Sequence, residues 1–224
     1  MAPTRNSIGK TYALTGTPGT GKSSAGSLIS QRAARSRTPV TALELSELAM
    51  LRDLGSEPLP NNPAARRSSR STVVAGSRAP ARPPPRPVVE VDLEAASRLV
   101  TQRGASLPVL VVMGHLAHFL PVDAVLLLRC RPSVLGARLR QRGDPEADIR
   151  ANMEAEWTDL ILFESLATGV PVFEHDTTRE TPAATARWIR RVLRGAETPR
   201  HGIVDWLADD PPAPGPPSKP ISGA

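Results

Sequence analysis

Short apolar runs alternate with segments of helical period along most of the chain. Residues 11–15 (TYALT) read as a buried strand and pass into a glycine-rich turn at 16–21, after which 22–35 read as a helix. Leu45, Leu48, Ala49 and Leu51 fall at helical spacing and predict a second helix over 41–54. Farther on, 88–91 predicts a strand, and Asp92 is placed to cap a helix over 93–103. Residues 107–113 (LPVLVVM) and 124–129 (AVLLLR) are near-continuous apolar runs, as in strands covered on both faces. Helices over 133–142 and 145–166, a strand over 170–174 and an amphipathic helix over 181–193 complete the series. The alternation predicts the α/β class, a parallel sheet with helices on both faces, and no internal repeat is visible.

Composition changes this picture in one place. The 224 residues are 40% hydrophobic and 22% charged, enough for one compact domain with appended segments, and the core must be aliphatic because aromatics are 3%. Residues 58–87 hold six arginines, eight prolines, no lysine and no acid. Without them the formal charge of +6 disappears, since 22 basic residues face 22 acidic ones, so the basic character is local. Such a stretch cannot bury enough apolar area to offset its ordering entropy, so it is expected to be a disordered insert, with 71–75 as a short strand at most. The tail at 211–224, with six prolines, is expected to be disordered too. The expected organisation is therefore 1–57, insert 58–87, the rest of the core over 88–207, and a tail from 208. No run suits a bilayer crossing and no secretory pattern opens the chain, so the expected location is cytoplasmic. A single cysteine, Cys130, excludes an internal disulfide framework and a cysteine-based zinc cage, and four scattered histidines argue against zinc.

The chemistry concentrates at 16–23, GTPGTGKS, which matches G-x-x-x-x-G-K-[ST] between a predicted strand and a predicted helix. Glycines let the backbone wrap an anion, and successive N–H groups then meet the positive end of the helix. Lys22 would supply a cation for the β- and γ-phosphates, and the Ser23 hydroxyl a Mg²⁺ ligand. ATP or GTP binding with Mg²⁺ follows. A guanine-reading N-K-x-D is absent, which weakens a GTPase reading. The arginines near 138–150 suit a phosphotransferase that neutralises charge on the moving phosphoryl group.

The chain resembles the adenylate kinase isoenzyme 6 family in TGTPGTGKSS (15–24), GHLAHFLPVD (114–123), VLLLRCRPSVLGARLRQRG (125–143), IRANMEAEWTDLILFES (149–165) and FEHDTT (173–178), and HGIVDWL (201–207) resembles tails of halophilic archaeal members. The resemblance covers about two thirds of the chain. It implies a nucleoside-monophosphate-kinase-like P-loop fold, the reaction ATP + AMP ⇌ 2 ADP with Mg²⁺ and some ATPase activity, and a role in small-subunit rRNA maturation with ribosomal protein uS11 and pre-ribosomal RNA as partners. By the same resemblance ATP would meet Gly19, Gly21, Lys22, Ser23 and Ser24, with Arg142 coming from a lid near 141–151. Arg138 is a second lid candidate, and His115 joins Lys22 as a catalytic candidate. His118 reads as a polar cap on a strand end, Asp123 as structural, and Glu154 and Glu156 as helix-surface charges paired with nearby arginines.

Two departures stand out. The family's acid-x-His element needs an acid two residues before His115, and Met113 stands there; Asp92 is a substitute only if it reaches the site. Residues 58–87 do not resemble the family's monophosphate-binding region, which fits either a lineage-specific insertion or translation in a shifted reading frame. Three functions remain in view: a working kinase, an ATP-binding ribosome-assembly factor with weak or no kinase activity, and salt-dependent RNA binding by the arginine-rich stretch, without aromatics for stacking.

Overall fold

The structure, a computed structural model, describes residues 9–33, 39–46 and 91–212. Among these residues five parallel strands form one sheet in the order β2-β3-β1-β4-β5: β1 (Lys10–Thr15), β2 (Val40–Glu44), β3 (Val109–Met113), β4 (Ala124–Arg129) and β5 (Val172–Asp176). Around them lie α1 (Lys22–Ala33), α2 (Leu93–Ser106), α3 (Pro132–Arg142), α4 (Glu146–Trp157), α5 (Leu160–Ala167), α6 (Pro182–Leu193) and the short α7 (Trp206–Asp209). The all-apolar β3 and β4 are buried at every position because both faces of the sheet are covered. Tyr12, Leu14, Val109, Val111, Leu126 and Leu128 pack under α1 and α6 with Ile29 and Ile189. The alternate positions Ala13, Leu110, Val112, Val125 and Leu127 pack under α2 and α5 with Val100 and Ile161. The expected α/β class, a parallel sheet with helices on both faces, is what the chain adopts.

Local chemistry sets most helix ends. The Asp92 carboxylate accepts from the Ala95 N–H, Thr181 does the same for Ala184, and Gly143 ends α3 in the left-handed region. The helix from Asp92 runs three residues past the expected 103, through Gly104, whose bare Cα faces Thr11. Asp123 ties the sheet together, its carboxylate accepting from the Thr11 N–H at 2.7 Å.

Three sequence expectations are corrected. Residues 41–44 are not helical: 40–44 form edge strand β2, paired in register with β3 from Val40↔Val109 to Glu44↔Met113. Val40 and Ala42 then pack against the α1-side core and Leu43 against the other, an alternation that only a neighbouring strand makes useful. The single helix expected over 145–166 is two, broken at Thr158 and Asp159, where Asp159 has φ +53°. Glu156 is not a surface charge: it is 2% exposed. Val91 is irregular, and the expected strands at 88–90 and 71–75, the insert at 58–87, the helix beyond Ser46 and the tail beyond 212 lie outside the described residues. Among the described residues no helix is long and apolar enough to cross a membrane.

Candidate functional site

The loop between β1 and α1 is held from below and from both sides. Gly16 adopts φ +136°, and a Cβ there would lie 2.2 Å from the Leu128 carbonyl oxygen on β4. Gly19 adopts φ +95° and packs so closely on α3 that a Cβ would come within 3.0 Å of Leu135 and Leu139. Both positions therefore require glycine, for the turn and for close approach. The Thr20 hydroxyl donates to the Thr17 carbonyl at 2.9 Å, and the Thr177 hydroxyl, at the end of β5, reaches the Thr20 carbonyl at 3.0 Å.

Beneath the loop lies a buried ionic cluster. Arg129, the last residue of β4, is 2% exposed. Its guanidinium donates to the Glu156 carboxylate (2.9 Å) and carbonyl (3.0 Å), to Glu174 (2.7 Å) and to Asp159 (2.5 Å). The second Glu156 oxygen accepts from the Thr17 hydroxyl of the phosphate loop at 2.5 Å. Trp206, buried on α7, donates its indole N–H to Glu156 at 3.3 Å, and Arg131 lies 5.5 Å over the Trp206 ring. Burial works against the Arg129 charge, but Glu156 and Asp159 more than offset it and raise the guanidinium above its ordinary value. The left-handed Asp159 thus has a reason, since ending α4 there brings its carboxylate to Arg129. Sequence reasoning missed this cluster. The signal was present in part: Ile149, Met153 and Glu156 fall at i, i+4 and i+7, one helix face, and the first and last are buried.

Above the loop, at the carboxyl ends of the strands, opens a cleft of about 640 Å³, where ligands of open α/β sheets gather. Gly19, Gly21, Lys22, Ser23 and Ser24 line it, and so do His115, Arg138 and Arg142 from other elements. Every sequence-predicted site residue therefore stands on one cavity. The Lys22 ammonium folds back on the loop, donating to the carbonyls of Gly16 (2.6 Å) and Thr17 (3.0 Å). Burial lowers it to about 8, although Glu156 and Glu44 favour the cation. Arg142 closes α3 and forms a two-pronged pair with Asp144, with Nε to Oδ1 at 2.8 Å. Arg138 donates to the carbonyls of Thr177 (2.9 Å) and Thr178 (3.1 Å).

The two histidines after β3 differ. His115 stands on the cleft wall with its residue exposed, and partial desolvation by the surrounding wall together with the Lys22 charge lowers its pKa. His118 is 1% exposed and lowered chiefly by burial; its Nε2 lies 3.1 Å from the Glu164 carboxylate and its Nδ1 3.1 Å from the Thr15 hydroxyl, which donates to the His115 carbonyl at 3.1 Å. Its place is structural, as the sequence suggested. Asp92 serves as the cap of α2.

Magnesium suits the oxygen donors of this cleft. It is a hard cation that keeps several waters and takes one or two protein oxygens beside those of phosphate, and Ser23 and Glu44 both present oxygen here. Among the described residues no group of three or more histidines, cysteines or acids could hold a metal by itself.

Residues 13–159 match the AAA domain family. A protein of Thermococcus onnurineus named "Putative adenylate kinase" is 31% identical over 193 residues, covering 86% of this chain and 89% of its own. One of the same name from Natronomonas pharaonis is 33% identical over 196 residues, covering 87% and 96%. Among solved structures, a shikimate kinase from Acinetobacter baumannii in complex with shikimate aligns with 85% of this chain and 96% of its own, at 13% identity and a TM-score of 0.49.

Proposed function

The chain belongs to the AAA domain family and to the family of these two archaeal relatives, and on that footing we propose that it is a Mg²⁺-dependent nucleotide kinase that transfers the γ-phosphoryl group of ATP to AMP. The observation that carries the reading is the convergence of Lys22, Ser23, Arg138, Arg142 and His115 on one cleft above a glycine-shaped loop.

The loop amides from Gly19 to Ser24 and the amino end of α1 receive the β- and γ-phosphates. Lys22 leaves the carbonyls of Gly16 and Thr17 for phosphate oxygens, which favour its cation. Ser23, at the first turn of α1, would hold Mg²⁺. The metal would neutralise developing charge on the transferring group. Arg142 releases Asp144 to meet the nucleotide as the cleft closes, and Arg138, anchored on two carbonyls, supports that wall. His115 presents its imidazole from the cleft wall, with desolvation and the Lys22 charge both disfavouring its protonated form. Glu156 and Arg129 act from below, holding Thr17 and so fixing the loop before substrate arrives.

The adenylate kinase isoenzyme 6 resemblance supports AMP as the acceptor and adds a second reading, an ATP-driven assembly factor for the small ribosomal subunit with uS11 and pre-ribosomal RNA as partners. Met113, apolar at the end of β3 where a carboxylate is ordinarily found, favours that alternative. A coupled assay with ATP and each nucleoside monophosphate separates them. The kinase reading expects ADP from ATP plus AMP at rates far above ATP alone; ATP binding without AMP-dependent turnover rejects it.

A further inference from the structure

The apolar end of β3 raises a chemical question. A phosphate loop that offers a serine to Mg²⁺ ordinarily works with a carboxylate at the end of a neighbouring strand. Here β3 ends in Met113, which is 5% exposed and committed to packing: its sulfur lies so close to α1 that a Cβ on Gly26 would fall 1.9 Å from it. The glycine at 26 makes room for the thioether.

The carboxylate is found one strand farther out. Glu44 ends β2 and is the one acid among the described residues that line the cleft. It pairs in register with Met113, and Met113 pairs with Leu14 just before the loop. Paired positions of parallel strands project to the same face at the same level. That face is the one α1 covers, since Val40 and Ala42, four and two residues earlier on β2, pack with Met113 and Ile29. Glu44 thus shares a face with Met113 and a cleft with Lys22 and Ser23, and its charge favours the Lys22 cation.

We propose that Glu44 supplies the carboxylate that β3 lacks: with Ser23 it orients the hydrated Mg²⁺ of the bound nucleotide, from the end of β2. The inference rests on the phosphoryl-transfer reading above. It explains how a cleft with methionine at the end of β3 can still handle Mg²⁺-ATP. A different role, pairing with Lys22 alone, has a different signature, because losing that charge would ease phosphate binding without touching the metal.

The test compares wild type, Glu44→Gln and Glu44→Asp as full chains, with melting temperatures as the check of folding. Mn²⁺ binding to the protein–ADP complex is followed by electron paramagnetic resonance, and turnover is measured across a Mg²⁺ titration. Glu44→Gln is expected to weaken Mn²⁺ binding and raise the Mg²⁺ needed for half-maximal turnover by about tenfold or more, while metal-free ADP binds as well or better. Glu44→Asp, which keeps the charge on a shorter arm, is expected to fall between. Should Glu44→Gln fail to fold, Glu44→Asp carries the test, and an unshifted metal requirement overturns the proposal. Tighter metal-free ADP binding with unchanged Mn²⁺ affinity overturns it in favour of the Lys22 pairing. A wild type that binds no Mn²⁺–ADP removes the phosphoryl-transfer reading itself, whereas a wild type that binds beside an unchanged Glu44→Gln removes Glu44 alone.

Discussion

Arg129 and Arg142 close neighbouring elements, β4 and α3, and the protein uses them in opposite ways. Arg129 is buried and donates to three carboxylates drawn from α4, β5 and the turn between α4 and α5. Arg142 is partly exposed, and Asp144 pairs with it from two residues along the chain. Removing a partner from the first arrangement strands charge in a dry interior, whereas the second exchanges its partner at little cost. A cation bound by distant acids is architecture, and one bound by a near neighbour at a cleft's edge is available for a ligand.

The largest expected effect follows from the first half of that contrast. Arg129→Met is expected to cost about 3–5 kcal/mol of folding stability, because three acids lose their counter-charge. Urea unfolding measures it, and a loss below about 1 kcal/mol would mean that the cluster is not structural. Lys22→Ala comes next and should act on chemistry alone: turnover falls by about 10²–10³-fold, as when one charge-stabilising donor is removed from an active site, while the melting temperature holds. Wild-type turnover in that variant would contradict the phosphate role. Arg142→Ala should have the smallest effect, about a tenfold loss of turnover with stability within about 0.5 kcal/mol of wild type, because partly exposed pairs contribute little to folding. A stability loss like that of Arg129→Met would erase the distinction between the two arginines.

The phosphate loop was legible in the sequence because its glycines answer to backbone geometry, and β3 and β4 because strands buried on both faces leave unbroken apolar runs. Edge strand β2 was not. Leu45, Leu48, Ala49 and Leu51 supply a helical period that overlaps it, and only pairing with β3 makes Val40–Glu44 a strand. The break inside 145–166 was hidden for a related reason. Neither Thr158 nor Asp159 is a glycine or proline, and the turn follows from Arg129 drawing on Asp159 from another element. Glu156 stood on the apolar face of its helix in plain sequence, but its partners Thr17, Arg129 and Trp206 come from distant segments. Glu44 depends wholly on strand register. The expected site residues all reach the cleft, and the ones missed, Arg129, Glu156 and Asp159 beneath the loop and Glu44 at the end of β2, owe their places to pairing between distant segments.

The central claim is that Lys22 trades two loop carbonyls for a nucleotide's phosphates. Since burial lowers its ammonium to about 8 in the free protein, below its ordinary 10.5, phosphate binding must restore the proton whenever the solution is above that value. Calorimetric titration with Mg²⁺-ATP at pH 7 and pH 9, each in buffers of different ionisation enthalpy, measures this directly. The expected result is binding at both, weaker at pH 9 and coupled there to uptake of most of one proton, with little uptake at pH 7. Folded protein that gives no heat, or binding equally strong and free of proton uptake at pH 9, would contradict it.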